Sequence, residues 1–310
     1  MDVSLIRSAA AQAAGAQQYP QGALYVVATP IGNLADLSLR AIHLLGLVDA
    51  VACEDTRVTA GLLRHFGIDK PLVAVHEHNE AEAAAAVVAR LAAGERVAYA
   101  SDAGTPAVSD PGARLVAAVR AAGHRAVPLP GASSVAAALS AAGDAGGAGF
   151  RFVGFAPAKA AERASFLATL AGDAQTLVLF EAPHRIEALA EALARAMPER
   201  PASLCRELSK QFEQIETMPA AMLPAWLAAD AQRRRGEFVV VLHAIERAAE
   251  AGLPAAAERL LDRLLEAMPL KQAVAITAEA TGAPRNAVYA TALSRRTGAP
   301  QDDPAIDRGH

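Results

Sequence analysis

The sequence predicts two α/β domains followed by a small helical segment. From Leu24 onward, short apolar runs alternate with longer helical patterns, as in a sheet covered by helices. The runs at Ala202–Cys205 and Phe212–Thr217 follow each other without a helix between them, which favours antiparallel pairing and a mixed second sheet. Beyond Ala248 the periodicity is helical throughout. A chain of 310 residues is long enough for two cores.

Composition limits the class of protein. Hydrophobic residues make up 53% of the chain, enough for packed cores, so disorder is excluded for most of its length. Aromatic residues are scarce at 4%, which favours helices packed on sheets over an aromatic-rich β fold. Because the net charge is −4, a nucleic-acid partner would need a local basic patch.

Two cysteines, Cys53 and Cys205, are too few for a disulfide framework and fit a reducing compartment. No apolar stretch reaches the roughly 18 residues that a membrane-spanning helix needs. Residues 1–21 lack the apolar core of a signal peptide, and we expect them to form a flexible tail. The protein is therefore expected to be soluble and cytoplasmic, with no membrane partner.

The first predicted domain, residues 22–145, contains five strand–loop–helix units. This order predicts a mostly parallel N-terminal sheet with helices on both faces. Ser38 is suited to cap the first of these helices. The five strands are predicted at Leu24–Ala28, Ala50–Cys53, Leu72–Val75, Arg96–Ala100 and Arg125–Leu129.

The second predicted domain, residues 150–246, follows a Gly-rich break at residues 143–149. Its helices are expected at about 160–170 and 220–229, with another beginning after His184–Arg185. The predicted strands, which form a mixed C-terminal sheet, are Phe152–Phe155, Thr176–Phe180, Ala202–Cys205, Phe212–Thr217 and Glu237–Leu242.

Residues 252–296 predict a helical appendage of the helix–turn–helix kind. Apolar residues recur at helical spacing over Ala255–Ala267 and Leu270–Glu279, and Pro284 begins a last helix through Leu293. Tyr289 is expected to pack in this core, with stacking on a base as the alternative. Residues 297–310 are rich in Pro, Asp and Gly and predict a second flexible tail.

The stretch Ala100–Gly112, ASDAGTPAVSDPG, is the most distinctive loop of the chain. It follows a buried strand and precedes a helix, so it lies at the carboxyl edge of the sheet, where open α/β sheets bind small ligands. Residues 101–106 are too long and too rich in Gly and Pro for a helix cap alone, and they predict a ligand loop. Residues 109–112 are better explained as a helix start, with Asp110 as N-cap and Pro111 at the first helical position.

Four loops with unusual residues leave the carboxyl ends of first-domain strands, at 29–34, 54–57, 101–110 and 130–134. In a parallel sheet they converge on one edge. None is a GxGxxG fingerprint or a GxxxxGK[ST] phosphate loop, and no CxxC or HExxH metal motif occurs. At 130–134, Ser133 and Ser134 begin a helix, where they either cap it or bind a ligand carboxylate.

Several segments together resemble the tetrapyrrole-methylase-like superfamily, and most closely its branch of ribosomal RNA small subunit methyltransferase I. The resemblance covers residues 22–296, including the C-terminal helices. It depends on the order and spacing of the segments LYVVATPIGNLADLSLRA, EDTR, HEHNE, SDAGTP, SDPG, PLPG, LFEAPHR, REL-K and GEFVVVL. One departure is Ala132, where the family usually has a second Pro, which leaves the roles of Ala132 and Ser133 less defined.

The resemblance implies S-adenosylmethionine as cofactor, bound between two α/β domains, and a homodimer. It implies 2′-O-methylation of a cytidine in the decoding region of 16S ribosomal RNA, within the small ribosomal subunit. The second domain would contribute Phe180, Glu181 and the backbone near Gly236 to the cofactor pocket. The cofactor residues implied in the first domain are Pro30, Ile31, Gly32, Asp102, Ala103, Gly104, Thr105, Pro106, Ser133 and Ser134.

The reaction needs two positioned atoms and removal of one proton. Glu54, Asp55 and Glu181 are the catalytic candidates, and Asp102, Glu207 and His184 are further groups that could take the proton. The alternative for the charged residues is a set of local ion pairs, Asp55–Arg57, Glu181–Arg185 and Arg206–Glu207. The RNA-contacting candidates are Arg57, His184, Arg185, Arg206 and Lys210, with Arg64, Arg233–Arg235, Lys271, Arg285, Asn286, Arg295 and Arg296 as further polar positions.

Two other functions remain open on the sequence. One is methylation of a tetrapyrrole such as a precorrin or uroporphyrinogen, the other chemistry of this fold. The other is a cofactor-binding regulator or ribosome assembly factor without transfer activity. The EDTR, HEHNE and APHR segments and the C-terminal helices favour the RNA branch over tetrapyrrole methylation. Cofactor binding without methyl transfer would support the regulator.

Overall fold

The computed structural model describes residues 3–76, 79–109, 111–146, 149–245 and 253–297. They divide into two compact units, Met1–Ile245 and Glu246–His310. The two sheets both belong to the first unit, so the predicted domains 22–145 and 150–246 are parts of one compact body. No helix of the described residues is long and apolar enough to cross a membrane.

The first sheet is parallel throughout and has the order β3-β2-β4-β1-β5. Its strands are β1 (Ala23–Val27), β2 (Ala50–Cys53), β3 (Leu72–Ala74), β4 (Val97–Ala100) and β5 (Arg125–Leu129). Every residue of β2 and β4 is buried, because helices cover both faces. These helices are α1 (Val3–Ala14), α2 (Leu39–Leu47), α3 (Thr56–His65), α4 (Glu80–Ala92), α5 (Ala113–Ala121) and α6 (Ser134–Ala142).

The prediction of a flexible tail over residues 1–21 is wrong for most of that range. Helix α1 packs on α2, with Ala10 and Ala14 fully or almost fully buried. The Arg7 guanidinium donates a hydrogen bond to the Gly67 carbonyl at 3.0 Å. An alanine-rich segment shows no clear helical alternation of apolar and polar residues, so the sequence does not reveal which side of α1 is buried. The small alanine side chains nevertheless allow the two helices to pack closely.

The second sheet is mixed, as predicted, with the order β6-β7-β10-β8-β9. Strands β6 and β7 are parallel, and the remaining neighbours are antiparallel. The strands are β6 (Phe150–Phe155), β7 (Thr176–Glu181), β8 (Pro201–Arg206), β9 (Gln214–Pro219) and β10 (Phe238–Leu242). The covering helices are α7 (Ala160–Leu170), α8 (Ile186–Ala196) and α9 (Leu223–Ala228).

A buried hydrogen-bond network ties the end of α6 to the second sheet. Ser203 lies 2.7 Å from Nε2 of His243 and donates a hydrogen bond to the Ala142 carbonyl. Asp144 accepts hydrogen bonds from the Thr176 hydroxyl and from the Ala244 amide. The predicted break at 143–149 therefore contains an anchored residue, Asp144, and residues 147–148 lie outside the described part of the chain.

The second unit contains three helices, α10 (Ala255–Ala267), α11 (Leu270–Thr281) and α12 (Arg285–Thr297). Gly282 has φ of 69° and ends α11 in the left-handed conformation, so the chain turns directly into α12. The core includes Leu261, Val274 and Val288. The prediction that Tyr289 packs in this core is wrong, since the side chain is 46% exposed. Residues 298–310 of the predicted second tail lie outside the described residues.

The network at His243 predicts a pH dependence of stability. Burial, together with the nearby Arg200 charge, lowers the pKa of His243 below its ordinary value, although Asp144 opposes the shift. Below about pH 6.5 the unfolded chain therefore binds a proton that the folded chain does not, and stability falls as the pH falls. The slope contributed by His243 is at most about 1.4 kcal/mol per pH unit, and it vanishes once the pH falls below the pKa of the folded state.

Urea unfolding between pH 7.5 and pH 5.5 measures this slope. We expect His243→Gln to flatten it and His65→Gln, at an exposed position, to leave it unchanged. An equal slope in the wild type and the His243→Gln variant would show that His243 does not titrate on unfolding.

Candidate active site

Three of the four unusual loops of the first sheet are joined by hydrogen bonds to backbone carbonyls. The Thr29 amide donates to the Gly104 carbonyl at 2.9 Å, and the Gly104 amide donates back to the Thr29 carbonyl at 3.0 Å. The Thr105 hydroxyl reaches the Ala132 carbonyl at 3.0 Å. Because β1 lies between β4 and β5, the loops that follow these strands meet at one edge, as the sequence predicts.

A glycine is required at the centre of this cluster. Gly104 has φ of 79°, a conformation that disfavours other residues, and a Cβ there would approach Ile31 at 3.4 Å. Gly131 allows the third loop to lie on β1, since a Cβ would come within 2.9 Å of the Ala28 Cβ. The close approach of the loops thus explains two Gly positions of the distinctive segments.

A cavity of about 380 Å³ opens between this loop cluster and the second sheet. Of the predicted cofactor residues, those that line it are Ile31, Ala103, Gly104, Thr105, Ser133, Ser134 and Phe180. Pro30, Gly32, Asp102, Pro106 and Gly236 are not among its lining residues, although each is within two positions of one. Besides Glu181, the other lining residues are Val108, Ser109, Val135, Phe155, Ala182, Pro183, Leu208, Glu237, Phe238 and Val239, of which six lie in the segments LFEAPHR, REL-K and GEFVVVL.

Helix α6 begins at this cavity. Ser133 is its N-cap and accepts a hydrogen bond from the Ala136 amide at 3.4 Å, so the capping role is present. Ser133, Ser134 and Val135 also line the cavity. The first amide groups of a helix have no partners inside it, and they favour an anionic group at this position. Capping and ligand binding are therefore compatible here.

The carboxylate candidates lie in different surroundings. Asp55 accepts two hydrogen bonds from the Arg57 guanidinium at 3.1 and 2.6 Å, which lower the pKa of Asp55 to about 2. The Asp55 amide donates to Asp102 at 3.0 Å, so these two loops are joined outside the cavity lining. Glu54 is half-buried and is likewise absent from the lining residues. The Asp55–Arg57 ion pair, one of the alternatives left open by the sequence, is present.

Glu181 differs from the other carboxylates. Its side chain is fully buried, at the end of β7 and in the cavity wall. Oε1 accepts a hydrogen bond from the Ala182 amide at 2.9 Å and lies 3.1 Å from Nε of Arg185. Oε2 is buried without a hydrogen-bond partner among the described protein atoms. Burying a carboxylate oxygen without a hydrogen-bond donor costs free energy, so this oxygen favours a ligand that donates a hydrogen bond to it.

The loop after β8 joins the rim of the cavity. Lys210 Nζ lies 2.8 Å from Glu207 and 3.0 Å from Glu237. Burial raises the pKa of Glu207, but the hydrogen bonds from Lys210 and the Glu237 amide, together with the Lys210 and Arg206 charges, outweigh burial, and the pKa is lowered. A Cβ at Gly32 would lie 2.3 Å from Lys210 Cγ, and one at Gly236 would lie 2.4 Å from the Glu207 carboxyl carbon. The two predicted cofactor glycines thus make room for this ion-pair cluster.

The predicted RNA-contacting residues differ in how far they are exposed to solvent. Arg57 is 89% exposed, and His184 is also exposed. Arg185 is partly buried against Glu181 and donates to the Ala156 carbonyl. Arg206 is buried, and its guanidinium donates to the carbonyls of Arg235 and Phe212, so it supports the protein backbone. Glu207 is paired with Lys210 instead of Arg206.

The second half of the Ala100–Gly112 loop differs from the prediction. Helix α5 begins at Ala113 with Gly112 as N-cap, so the prediction that Pro111 occupies the first helical position is wrong, and Asp110 lies outside the described residues. Gly112 has φ of 119°, and a Cβ would lie 2.2 Å from the Tyr99 ring. The Gly112 amide donates to Glu80, and Tyr99 donates to the Pro111 carbonyl. Contacts distant in sequence therefore set this helix start.

Comparison with known proteins defines the class. The family model of Tetrapyrrole (Corrin/Porphyrin) Methylases matches residues 23–224, and the model RsmI C-terminal HTH domain matches residues 251–296. A cobalt precorrin-4 methyltransferase of cobalamin biosynthesis is similar in structure, with a TM-score of 0.54 and 18% identity over 73% of this chain and 98% of that one. Uroporphyrin-III-C-methyltransferase from Thermus thermophilus gives a TM-score of 0.51 and 24% identity over 71% and 94%. The fold is that of the tetrapyrrole methylases.

Curated relatives identify the family within this fold to which the chain belongs. A Pseudomonas aeruginosa protein named ribosomal RNA small subunit methyltransferase I is 49% identical over 89% of this chain and 98% of its own length. The protein of the same name from Escherichia coli O157:H7 is 44% identical over 89% and 96%. The chain belongs to the ribosomal RNA small subunit methyltransferase I family, and both the resemblance and the fold class predicted from the sequence are confirmed.

Proposed function

We propose that this protein transfers a methyl group from S-adenosylmethionine to the ribose 2′-oxygen of a cytidine in the decoding region of 16S ribosomal RNA. The observation that carries the proposal is the cavity at which three first-domain loops, the start of α6 and the buried Glu181 meet. Its family relatives are named as methyltransferases of small-subunit ribosomal RNA.

The cavity suits the three parts of this cofactor. The helix start at Ser133–Ser134 favours its carboxylate. Phe180, Phe238 and Val239 provide apolar surface for its adenine. Carbonyl oxygens of the loop cluster favour its positive sulfur, and the sulfonium supplies a methyl group that is already activated. The volume of about 380 Å³ falls in the range of small-molecule sites.

Positioning accounts for most of the catalysis in this proposal. The ribose 2′-oxygen attacks the methyl carbon in line with the departing thioether, so the protein must hold the two atoms together and accept one proton. Glu181 is the carboxylate best placed for that proton, because it lines the cavity and its Oε2 is unpaired among the described residues. Asp55 is a poor base, because Arg57 holds its pKa near 2.

The substrate is proposed to be ribosomal RNA within the small subunit. Arg57 and His184 are exposed, with Arg57 also paired to Asp55, and Arg185 adds a guanidinium next to Glu181. Structured RNA is recognised largely by shape and phosphate contacts, so scattered basic residues suffice on an otherwise acidic chain. We also propose that the protein acts in the cytoplasm as a homodimer, as the family resemblance implies.

Transfer of a labelled methyl group to small ribosomal subunits that lack the modification tests the proposed function. We expect label in 16S ribosomal RNA, at a cytidine ribose in the decoding region, and none in subunits already modified there. Mapping the labelled nucleotide by nuclease digestion and mass spectrometry checks the position. Label in a precorrin or uroporphyrinogen with none in the subunits would overturn the proposal, and cofactor binding without transfer to either substrate would indicate a regulator.

Substitution of Glu181 tests its role in the transfer. Glu181→Gln keeps the shape of the side chain but removes its ability to take a proton, so we expect kcat to fall by roughly 10²- to 10⁴-fold. Binding of S-adenosylhomocysteine, measured by calorimetry, should change little. Asp55→Asn, at a carboxylate outside the cavity lining, should lower kcat less. Equal losses of kcat in the two variants would argue against Glu181 as the base.

A further inference from the structure

Strand β6 contains a bulge that turns an aromatic side chain toward the cavity. Along its pairing with β7, Phe152 lies opposite Val178 and Gly154 opposite Leu179, which leaves Val153 as the extra residue. Gly154 has φ of 76°, a conformation that favours glycine. Residues three apart in a regular strand point to opposite faces, but the bulge places Phe152 and Phe155 on the same one.

Phe155 is the exposed end of a three-ring cluster. The Phe180 ring lies edge-on to Phe152 at 4.8 Å and to Phe155 at 5.7 Å between centroids. Phe152 and Phe180 are partly buried, whereas Phe155 is 53% exposed and lines the cavity. The apolar residues of β10 are deeper, since Phe238 is 3% exposed and Val239 is 6% exposed, whereas Val108 on the opposite loop is 45% exposed. Phe155 therefore forms the outer apolar wall on the side of the second sheet.

The backbone after Phe155 is held by buried charge. The Arg163 guanidinium, 7% exposed as a residue, donates to the carbonyls of Pro157 and Ala158. The Arg185 guanidinium donates to the Ala156 carbonyl and contacts Glu181. Three successive carbonyls are thus fixed by two arginines, so the ring of Phe155 is presented by a rigid backbone.

We propose that Phe155 is a stacking platform for the nucleobase of the nucleotide that is methylated. This inference rests on the proposed function and extends it to the way the substrate is held. A base enters a cavity only after it leaves its stack, and unstacked bases are recognised by stacking on aromatic side chains. The half-exposed phenyl ring of Phe155, at the mouth of the cavity that Glu181 also lines, provides such an aromatic surface for an unstacked base.

The exposure of Phe155 favours the substrate base over the adenine of the cofactor. The cofactor pocket requires an enclosed apolar wall, which Phe180, Phe238 and Val239 supply deeper in the cavity. A ring that keeps half of its surface in solvent until the second molecule arrives is suited to the molecule that binds at the mouth. The platform therefore predicts an effect on RNA binding and none on cofactor binding.

A set of variants at the two ends of β6 tests this role. Phe155→Ala removes the ring and Phe155→Trp keeps an aromatic surface. Phe150→Ala is the matched control, because Phe150 is 54% exposed on the same strand but is absent from the cavity lining. The measurements are KM and kcat with small subunits that lack the modification, and the Kd for S-adenosylhomocysteine by calorimetry.

We expect Phe155→Ala to raise KM for the subunits roughly 5- to 150-fold, the range of base–aromatic stacking, with Phe155→Trp and Phe150→Ala close to the wild type. The Kd for S-adenosylhomocysteine should be unchanged in all variants. An unchanged KM in Phe155→Ala, or an equal rise in Phe150→Ala, would overturn the proposal. A weaker Kd with an unchanged KM would assign Phe155 to the adenine. If the wild type modifies no subunit, the proposed function fails first, and the platform fails with it.

Discussion

The two-way backbone hydrogen bond between Thr29 and Gly104 is the interaction on which the candidate site depends. It joins the loops that follow β1 and β4, and Thr105 extends the connection to the loop after β5. Backbone groups that bond to each other across loops fix the loop paths without any ligand, so the first-domain wall of the cavity is preformed. The start of α6 follows in the same cluster, and its free amides are directed to a fixed place.

The second sheet supplies what the loop cluster lacks. Strand β7 ends in a buried carboxylate, the antiparallel strand β10 begins with an apolar wall, and the bulge in β6 adds an aromatic ring at the mouth. Asp55 and Glu181 are both carboxylates, but their different hydrogen-bond partners give them different properties. Asp55 is occupied by Arg57, with a pKa of about 2, whereas Glu181 keeps one buried oxygen without a partner among the described residues. The carboxylate oxygen that has no hydrogen-bond donor among the described residues thus belongs to a residue of the cavity wall.

Local sequence signals predicted the strands, the mixed second sheet and the convergence of the loops, because alternation of short apolar runs and helical patterns is a local property. They missed the packing of α1, where alanines give little contrast, and the start of α5, which Tyr99 and Glu80 set from a distance. Phe155 was recognised as a strand residue only, because the bulge that re-aims it depends on pairing with β7. Arg206 looked like a surface cation, but its guanidinium supports backbone carbonyls.

The central claim is that the preformed loop cluster and the second sheet bind the methyl donor between them. A crystal structure of the protein with S-adenosylhomocysteine tests it most directly. The account predicts the carboxylate of the bound molecule at the amides of Ser134 and Val135, and its adenine against Phe180 and Val239. Density for the molecule outside this cavity, or in it with the carboxylate away from the start of α6, would contradict the account.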